Sequence, residues 1–307
     1  MKNTTTKKQG YALVTGGTSG IGYELAKCCA RDGYNLIIVA RSHESLQIVA
    51  QEIQKEFNVK VHTLSVDLMT PGAAKEIHDH LGRLNSKIEI LINDAGQGYW
   101  GKFSETDLDR EIDLIHLNII ALVSLTKYYL KDMISRGSGK ILQVASSLAK
   151  APAPYMSVYE ATKAFVWSFT EALIQETEGA GVTLTALHPG ATDTDFFHKA
   201  EAENSYEYNE TTLYSPDVVA EAGYIGMMNG NDKVIPGAKN IMHGMMAAVM
   251  PAKIVANNME KHMTESNKAG NKIGSEHSRS AEERERINGE TGGIDGDVQQ
   301  HEEHVHG

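Results

Sequence analysis

The sequence predicts a single α/β domain built on a doubly wound parallel sheet of about seven strands. Between Tyr11 and Ile235, short runs rich in β-branched residues alternate with longer segments of helical periodicity, which is typical of a parallel sheet covered on both faces. The first five strand segments are almost continuously apolar, as strands buried on both sides are. A chain of 307 residues, 41% of them hydrophobic, is long enough to bury one large core.

The predicted elements follow one another in regular alternation along the chain. Charged residues fall on one side of the helical segments Ser42–Phe57 and Pro71–Leu84, so each is expected to lay its other side on the sheet. The predicted strands are Tyr11–Thr15, Asn35–Ala40, Lys60–Val66, Ile88–Ile92, Gly139–Ala145, Val182–His188 and Lys233–Ile235.

Two regions depart from the alternation. Residues 191–215 hold no clear strand and combine acidic with aromatic residues. A long excursion of this kind is usually a lid, a binding loop or a disordered segment, and we interpret it as a substrate lid. Residues 264–307 contain no Leu, Phe, Tyr or Trp and carry ten acidic against five basic residues. Such a segment buries too little apolar surface to offset its ordering entropy. We therefore predict a folded domain over 1–263 and a disordered acidic tail over 264–307.

The charge pattern and hydropathy pattern exclude several classes of function. The net charge is −11, and no cluster of Lys and Arg is present, which argues against nucleic acid as a partner. No apolar run reaches the roughly 18 residues that a membrane-spanning helix needs. The first ten residues are polar and lack the apolar stretch of a secretory signal, so we expect a cytoplasmic protein.

A glycine-rich turn follows the first predicted strand and leads into a predicted helix. It reads Thr15-Gly16-Gly17-Thr18-Ser19-Gly20-Ile21-Gly22. Glycines let the backbone turn tightly and approach a pyrophosphate, to which the helix N-terminus then offers free amides. The turn therefore predicts a dinucleotide site, although a tight strand-to-helix loop without a ligand is the alternative.

The end of the second predicted strand indicates which dinucleotide is preferred. A site for NAD(H) usually has an acidic residue there, which accepts hydrogen bonds from the ribose hydroxyls. This sequence has Ala40 instead, followed by Arg41, whose guanidinium would hold a 2′-phosphate. NADP(H) is therefore favoured over NAD(H), unless Arg41 only caps the next helix.

Tyr159 and Lys163 lie one helical turn apart and should share one face of a long helix. A nearby ammonium, joined by the positive charge of an oxidised nicotinamide, would move the tyrosine pKa from about 10 toward the working range of an acid–base catalyst. Ser146 ends the preceding strand, where ligands of open α/β sheets bind, and its hydroxyl could bind a substrate carbonyl. Ser147 is the competing candidate.

Taken together, these motifs resemble the short-chain dehydrogenase/reductase family, in its NADP(H)-preferring bacterial type, over roughly Gly10 to Lys261. The resemblance implies a Rossmann-type fold and a catalytic set of Asn118, Ser146, Tyr159 and Lys163. Asn93-Asp94-Ala95-Gly96 resembles the family's Asn-Asn-Ala-Gly motif, with Asp94 as a departure at its second position. The cofactor residues that the resemblance implies are Gly16, Thr18, Ser19, Gly20, Ile21, Gly22, Arg41, Asp67, Leu68, Asn93, Ala95, Gly96, Tyr159, Lys163, Pro189, Gly190, Thr192 and Thr194.

The implied reaction is hydride transfer between the nicotinamide and a carbonyl or alcohol substrate. Tyr159 is expected to act as general acid and base, while Ser146 orients and polarises the carbonyl oxygen. Lys163 is expected to lower the tyrosine pKa and to hold the nicotinamide ribose, and Asn118 to shape a water-linked proton route to Lys163. A catalytically silent dinucleotide-binding regulator or scaffold is the alternative. An epimerase or dehydratase is disfavoured, because little chain follows Pro189 for a nucleotide-sugar domain.

The substrate and the assembly are less well specified by the sequence. Gln97–Trp100, Pro154–Met156 and Phe196-Phe197 suggest an apolar substrate, although such residues more often belong to simple core packing, so no substrate is assigned. Family members commonly form homodimers or homotetramers through the helices that are Asp107–Ser135 and Ser157–Gly179 here. A methionine-rich segment, Val234–Pro251, is expected to pack or to join an oligomer contact rather than to lie on a membrane surface.

Overall fold

The fold is a seven-stranded sheet in which every neighbouring pair of strands is parallel, with the strand order β3-β2-β1-β4-β5-β6-β7. The computed structural model describes residues 10–84, 86–147, 149, 151–211, 213–237 and 250–264. The observed strands are β1 Tyr11–Thr15, β2 Asn35–Ala40, β3 Val61–Ser65, β4 Ile88–Asn93, β5 Gly139–Val144, β6 Val182–Leu187 and β7 Lys233–Val234. The predicted fold class is confirmed, with strand ends that differ by one residue at most.

Ten α-helices are described between and after these strands. They are α1 Gly20–Arg31, α2 His43–Phe57, α3 Ala73–Arg83, α4 Leu108–Ile115, α5 Leu122–Ser135, α6 Ser157–Glu176, α7 Phe196–Lys199, α8 Tyr206–Glu210, α9 Pro216–Asn229 and α10 Ala252–Met263. Among the described residues, none of these helices combines the length and the hydropathy that crossing a bilayer requires.

Two separate apolar cores cover the two faces of the sheet. One joins α1, α2 and α9 to the strands through residues such as Leu25, Leu46 and Met227. The other joins α3 and α5 to the opposite face through residues such as Ile77 and Leu125. Because both faces are covered, the central strands carry apolar side chains in both directions, which explains their continuous hydrophobicity.

The predicted helix Asp107–Ser135 is interrupted by one π-helical segment, His116–Ala121, between α4 and α5. A π-helical turn inserts extra backbone into a helix and often marks a functional position. Apolar periodicity continues through the segment, which is why the sequence predicts one helix. Asn118 lies at its centre.

The excursion over 191–215 contains the short helices α7 and α8 rather than only irregular chain. Phe197 and Ala200 are buried in an apolar cluster with Met156 and Met263, which holds α7 against the start of α6 and the end of α10. Apart from Thr264, the predicted tail lies outside the described residues, as does 238–249 of the methionine-rich segment.

Candidate active site

The candidate site lies where the strand order reverses direction, between β1 and β4. Thr15 and Asn93, the last residues of these strands, are paired across the sheet. In open α/β sheets this reversal leaves a crevice at the carboxyl ends of the strands. The loops after β1, β4, β5 and β6, together with the start of α1, carry most of the predicted site residues, so the topology collects them at one edge.

The glycine turn packs closely against the loop after β4. Gly16 and Gly20 have φ values of +73° and +57°, which disfavour larger residues. A Cβ at Gly16 would lie 3.0 Å from the Ala95 Cα, and one at Gly22 would lie 2.6 Å from the Gly16 carbonyl oxygen. The turn therefore exposes backbone rather than side chains at the start of α1, which fits a pyrophosphate.

Thr15 connects the turn to the motif after β4. Its Oγ1 accepts hydrogen bonds from the backbone amides of Asp94 and Ala95, both at 3.2 Å. The neighbouring turn residues Thr18, Ser19 and Ile21 are half-buried. These bonds hold the two loops in one register, so a ligand lying on the turn also lies beside Ala95.

Arg41 is exposed at the end of β2 and does not cap the following helix. The Ser42 Oγ caps α2 instead, by accepting a hydrogen bond from the Ser45 amide at 3.2 Å. Asp67, after β3, is exposed and accepts a bond from the Met69 amide, while Leu68 is buried. The Arg41 guanidinium is thus left at the surface beside the expected adenosine end of the site.

Asn118 and Lys163 approach each other at Gly96. The Asn118 Oδ1 and the Lys163 Nζ each lie 3.3 Å from the position that a Cβ on Gly96 would occupy. The Asn118 side chain exchanges two hydrogen bonds with the Gln97 backbone and donates a third to the Thr162 Oγ1. The Lys163 Nζ donates to the Val144 carbonyl at 2.8 Å. Three elements therefore converge on this buried ammonium.

Glu160 adjoins both Ser146, through a hydrogen bond, and Tyr159, its neighbour in α6. The Ser146 Oγ donates to the Glu160 Oε1 at 3.4 Å, while the Ser147 amide donates to the Pro189 carbonyl. The Lys163 Nζ is 5.8 Å from the centroid of the Tyr159 ring. The structure thus brings Asn118, Ser146, Tyr159 and Lys163 to one end of the sheet.

The protein's own groups raise the pKa of Tyr159 rather than lower it. Burial raises this pKa well above 10, and the negative charges of Glu160 and Asp94 act in the same direction. Burial also lowers the pKa of Lys163, although Asp94 and Glu160 oppose this effect. In the chain without its cofactor, desolvation and two carboxyl groups therefore raise the pKa of Tyr159, while the lowering by Lys163 together with an oxidised nicotinamide stays a prediction.

The loop after β6 lies over the glycine turn and the tyrosine. The Thr194 Cγ2 is 2.9 Å from the position that a Cβ on Gly20 would occupy. Thr192 Oγ1 donates to the Gly190 carbonyl at 2.8 Å, which shapes the turn that starts at Pro189. The ring of Phe196 lies 5.0 Å from that of Tyr159. The excursion therefore forms one wall of the site.

One predicted cofactor residue is not directed into the crevice. The Asn93 Nδ2 donates to the Thr126 Oγ1 and the Gln143 Oε1, at 3.1 and 2.9 Å. Asn93 is 3% exposed, so this side chain connects β4 to β5 and α5 beneath the site. Its part in cofactor binding is at most to support the loop that it precedes.

Asp94 and Glu160 are ionisable groups of the site that the sequence did not single out as functional. The Asp94 Oδ2 lies 3.2 Å from the Cβ position of Gly16 and 2.4 Å from that of Gly22. Burial raises the pKa of Asp94 to about 7, although Lys163 and a hydrogen bond from the Gly22 backbone oppose it. In the sequence, the departure of Asp94 from the family motif could have identified it as a functional residue. Glu160 is marked in the sequence only by its position next to Tyr159.

Replacing Asp94 with asparagine is expected to change how stability depends on pH. Because burial holds the pKa of Asp94 above its ordinary value of 3.8, the wild type should lose stability relative to Asp94→Asn as the pH rises from about 4 through 7. The loss is at most about 1.4 kcal/mol per pH unit. Thermal unfolding from pH 5 to 8 measures it, with exposed Asp113→Asn as the control. A difference that stays constant with pH would contradict this account.

The chain shares its sequence pattern with known proteins. A family model described as short chain dehydrogenase matches residues 10–205. The chain is 34% identical over 185 residues to the very-long-chain 3-oxoacyl-CoA reductase of Rattus norvegicus, over 58% of each chain. It is also 34% identical over 215 residues to the 17-beta-hydroxysteroid dehydrogenase type 3 of Mus musculus, over 69% of this chain and 67% of that protein. The match thus spans little more than half of the first of these relatives.

Solved structures show the same architecture. A short-chain dehydrogenase from Sphingobium yanoikuyae in complex with NADPH is 29% identical, with a TM-score of 0.70, over 79% of this chain and 97% of that one. The bulky-bulky ketone specific alcohol dehydrogenase from Comamonas testosteroni is 28% identical, with a TM-score of 0.66, over 79% and 96% of the two chains.

Proposed function

The chain belongs to the short-chain dehydrogenase family, and we propose that it transfers a hydride between NADP(H) and an apolar carbonyl or alcohol substrate. The observation that carries the proposal is the convergence of Ser146, Tyr159, Lys163 and Asn118 beside the glycine turn. These residues come from three different loops and helices, and a protein that only bound a dinucleotide would not need all four.

The glycine turn and the loops after β4 and β6 would hold the cofactor. The backbone at Gly16 to Gly22 would bind the pyrophosphate, because the glycines of the turn carry no side chains of their own at the start of α1. Bound NADPH supplies the hydride. Lys163 lies beside Gly96 and close to Tyr159, where its ammonium would bind the ribose hydroxyls next to the nicotinamide.

Tyr159 would hold the proton that the substrate oxygen receives. Its raised pKa keeps the phenol protonated at neutral pH, as a general acid for carbonyl reduction must be. In alcohol oxidation the phenol must lose that proton, and the positive charge of an oxidised nicotinamide would favour the phenolate. The Ser146 hydroxyl would donate to the carbonyl oxygen and so fix its orientation.

The walls of the site favour an apolar substrate. A Cβ at Gly98 would lie 2.7 Å from the Met156 Cε and from the Phe196 Cζ, so apolar groups line the space beside Tyr159. Relatives named for 3-oxoacyl, hydroxysteroid and bulky ketone substrates support the same class. The cytoplasmic location and the homodimeric or homotetrameric state stay predictions.

A panel of ketones, 3-oxoacyl thioesters and their alcohols, followed at the absorbance of the reduced nicotinamide, tests the proposal. The wild type should turn over at least one apolar ketone or secondary alcohol with NADP(H). Cofactor binding without turnover across the panel would favour the alternative, a catalytically silent dinucleotide-binding regulator or scaffold.

Replacing Arg41 with alanine is expected to weaken NADPH binding about 10- to 100-fold, because a guanidinium–phosphate hydrogen bond contributes roughly 1.5–3 kcal/mol. NADH has no 2′-phosphate, so its affinity should change little. Fluorescence titration with both cofactors measures the two dissociation constants. Arg83→Ala, at the exposed end of α3, is the matched control. Equal losses for both cofactors would remove the argument for NADP(H).

A further inference from the structure

Glu160 is a buried carboxyl group that no step of the proposed reaction uses. It is 5% exposed, and its Oε1 accepts the hydrogen bond from the Ser146 hydroxyl. Its Oε2 is buried and has no hydrogen-bond partner among the described residues. A buried carboxyl oxygen without a partner is costly, so apolar packing alone does not explain this residue.

Glu160 also lines a groove whose walls do not include Tyr159. The groove has a volume of about 420 Å³, and its other walls include Ala149, Pro152 and Ser157. Successive helical residues point about 100° apart, so Glu160 and Tyr159 face different directions from α6. A space of this size holds several waters, through which Glu160 can exchange a proton without involving the substrate.

We propose that Glu160 sets the direction of the Ser146 hydroxyl proton, so that Ser146 donates to a substrate carbonyl only while Glu160 is protonated. The inference rests on the proposed function and assigns Glu160 as a positioning residue. When Glu160 is protonated, its O–H donates to the Ser146 Oγ, and the Ser146 O–H can turn to the carbonyl oxygen. When Glu160 is ionised, the Ser146 O–H donates to the carboxylate, and its lone pairs are left to accept from an alcohol.

The charges around Glu160 allow this change near neutral pH. Burial raises the pKa of Glu160 to about 7, although Lys163 and the bond from Ser146 lower it. Tyr159 and Lys163 lie on the same helix, and Asp94 acts on both from the end of β4. The ring of His188, after β6, bonds to the Ser146 carbonyl at 3.0 Å. Because the pKa of Tyr159 lies well above 10, this tyrosine does not change its own charge between pH 6 and 8.

The expected consequence is that kcat depends on pH differently in the two reaction directions. At saturating NADPH and ketone, kcat for reduction by the wild type should fall about tenfold between pH 6 and 8, as the protonated fraction of Glu160 does. Oxidation of the corresponding alcohol should show no such fall. In Glu160→Gln, whose amide can donate to Ser146 at every pH, reduction should vary less than about twofold over the range.

Matched variants separate this role from a structural one. Glu171→Gln, exposed on the same helix, should keep the wild-type fall. Ser146→Ala should be slower but independent of pH, because Glu160 acts through Ser146; this variant keeps the test decisive if Glu160→Gln does not fold. Asp94→Asn should keep the fall, because saturating cofactor removes any effect on cofactor binding.

Each contrary result has a distinct meaning. If kcat of the wild type does not fall between pH 6 and 8, the inference is overturned while the proposed function stands. The same holds if the fall persists in Glu160→Gln or Ser146→Ala. If the fall in kcat vanishes in Asp94→Asn, the titrating group is Asp94 rather than Glu160, and the inference is overturned as well. A wild type without any turnover overturns the proposed function, and the inference falls with it.

Discussion

Replacing Tyr159 with phenylalanine is expected to lower kcat by about 100- to 10,000-fold, which is the usual contribution of a general acid. The substitution removes one hydroxyl and keeps the ring that packs 5.0 Å from the Phe196 ring, so the site should keep its shape. Steady-state turnover of the best substrate in the panel measures the loss. Titration with NADPH should give a dissociation constant within about threefold of the wild type.

The matched control is Tyr128→Phe. Tyr128 stacks on the His78 ring and packs against the core on one face of the sheet, away from the crevice. Its replacement likewise removes one phenolic hydroxyl group. This variant should turn over at close to the wild-type rate. Wild-type turnover in Tyr159→Phe would show that the proton comes from another group and would falsify the assigned acid.

Gly22→Ala is expected to damage both the stability and the cofactor site. A Cβ at this position would lie 2.6 Å from the Gly16 carbonyl oxygen and 2.4 Å from the Asp94 Oδ2. The first of these atoms belongs to the backbone, so the turn itself must move. Overpacking of this kind costs about 1–3 kcal/mol, or roughly 2–12 °C in melting temperature for a domain of this size.

The displaced turn should also bind the cofactor at least about tenfold more weakly, because the backbone amides no longer converge on one phosphate position. Gly82→Ala is the control, since nothing lies within 4 Å of a Cβ there and alanine favours the helix. Calorimetry and cofactor titration of both variants provide the comparison. Equal stability and affinity in Gly22→Ala and Gly82→Ala would mean that the close approach at the turn is not needed.

The sheet could be predicted from the sequence because the pattern that identifies each strand lies within a few consecutive residues. Strands such as Asn35–Ala40 carry apolar residues on both faces, and this property follows from burial between two layers of helices. The interruption at His116–Ala121 was not predictable in the same way, because the apolar pattern runs through it unchanged. What distinguishes it is the contact of Asn118 with Gln97 and Thr162, which are distant in the chain.

The excursion after β6 shows the same limit. Its aromatic residues indicated a lid, but α7 and α8 are short helices with little independent stability. Their order comes from burial of Phe197 and Ala200 against Met156 and Met263. Packing partners from other parts of the chain, rather than helical propensity, decide such structure.

By itself, the sequence determined the parallel α/β sheet, the glycine turn and the spacing of Tyr159 and Lys163 on one helix, because each follows from a pattern within a few residues. Only the tertiary structure decided the electrostatics of the site. Burial, Glu160 and Asp94 raise the pKa of Tyr159 in the chain without its cofactor, an effect that the sequence did not indicate. Desolvation and charge act through space between groups that folding brings together. The distances between such groups cannot be predicted from the local sequence pattern.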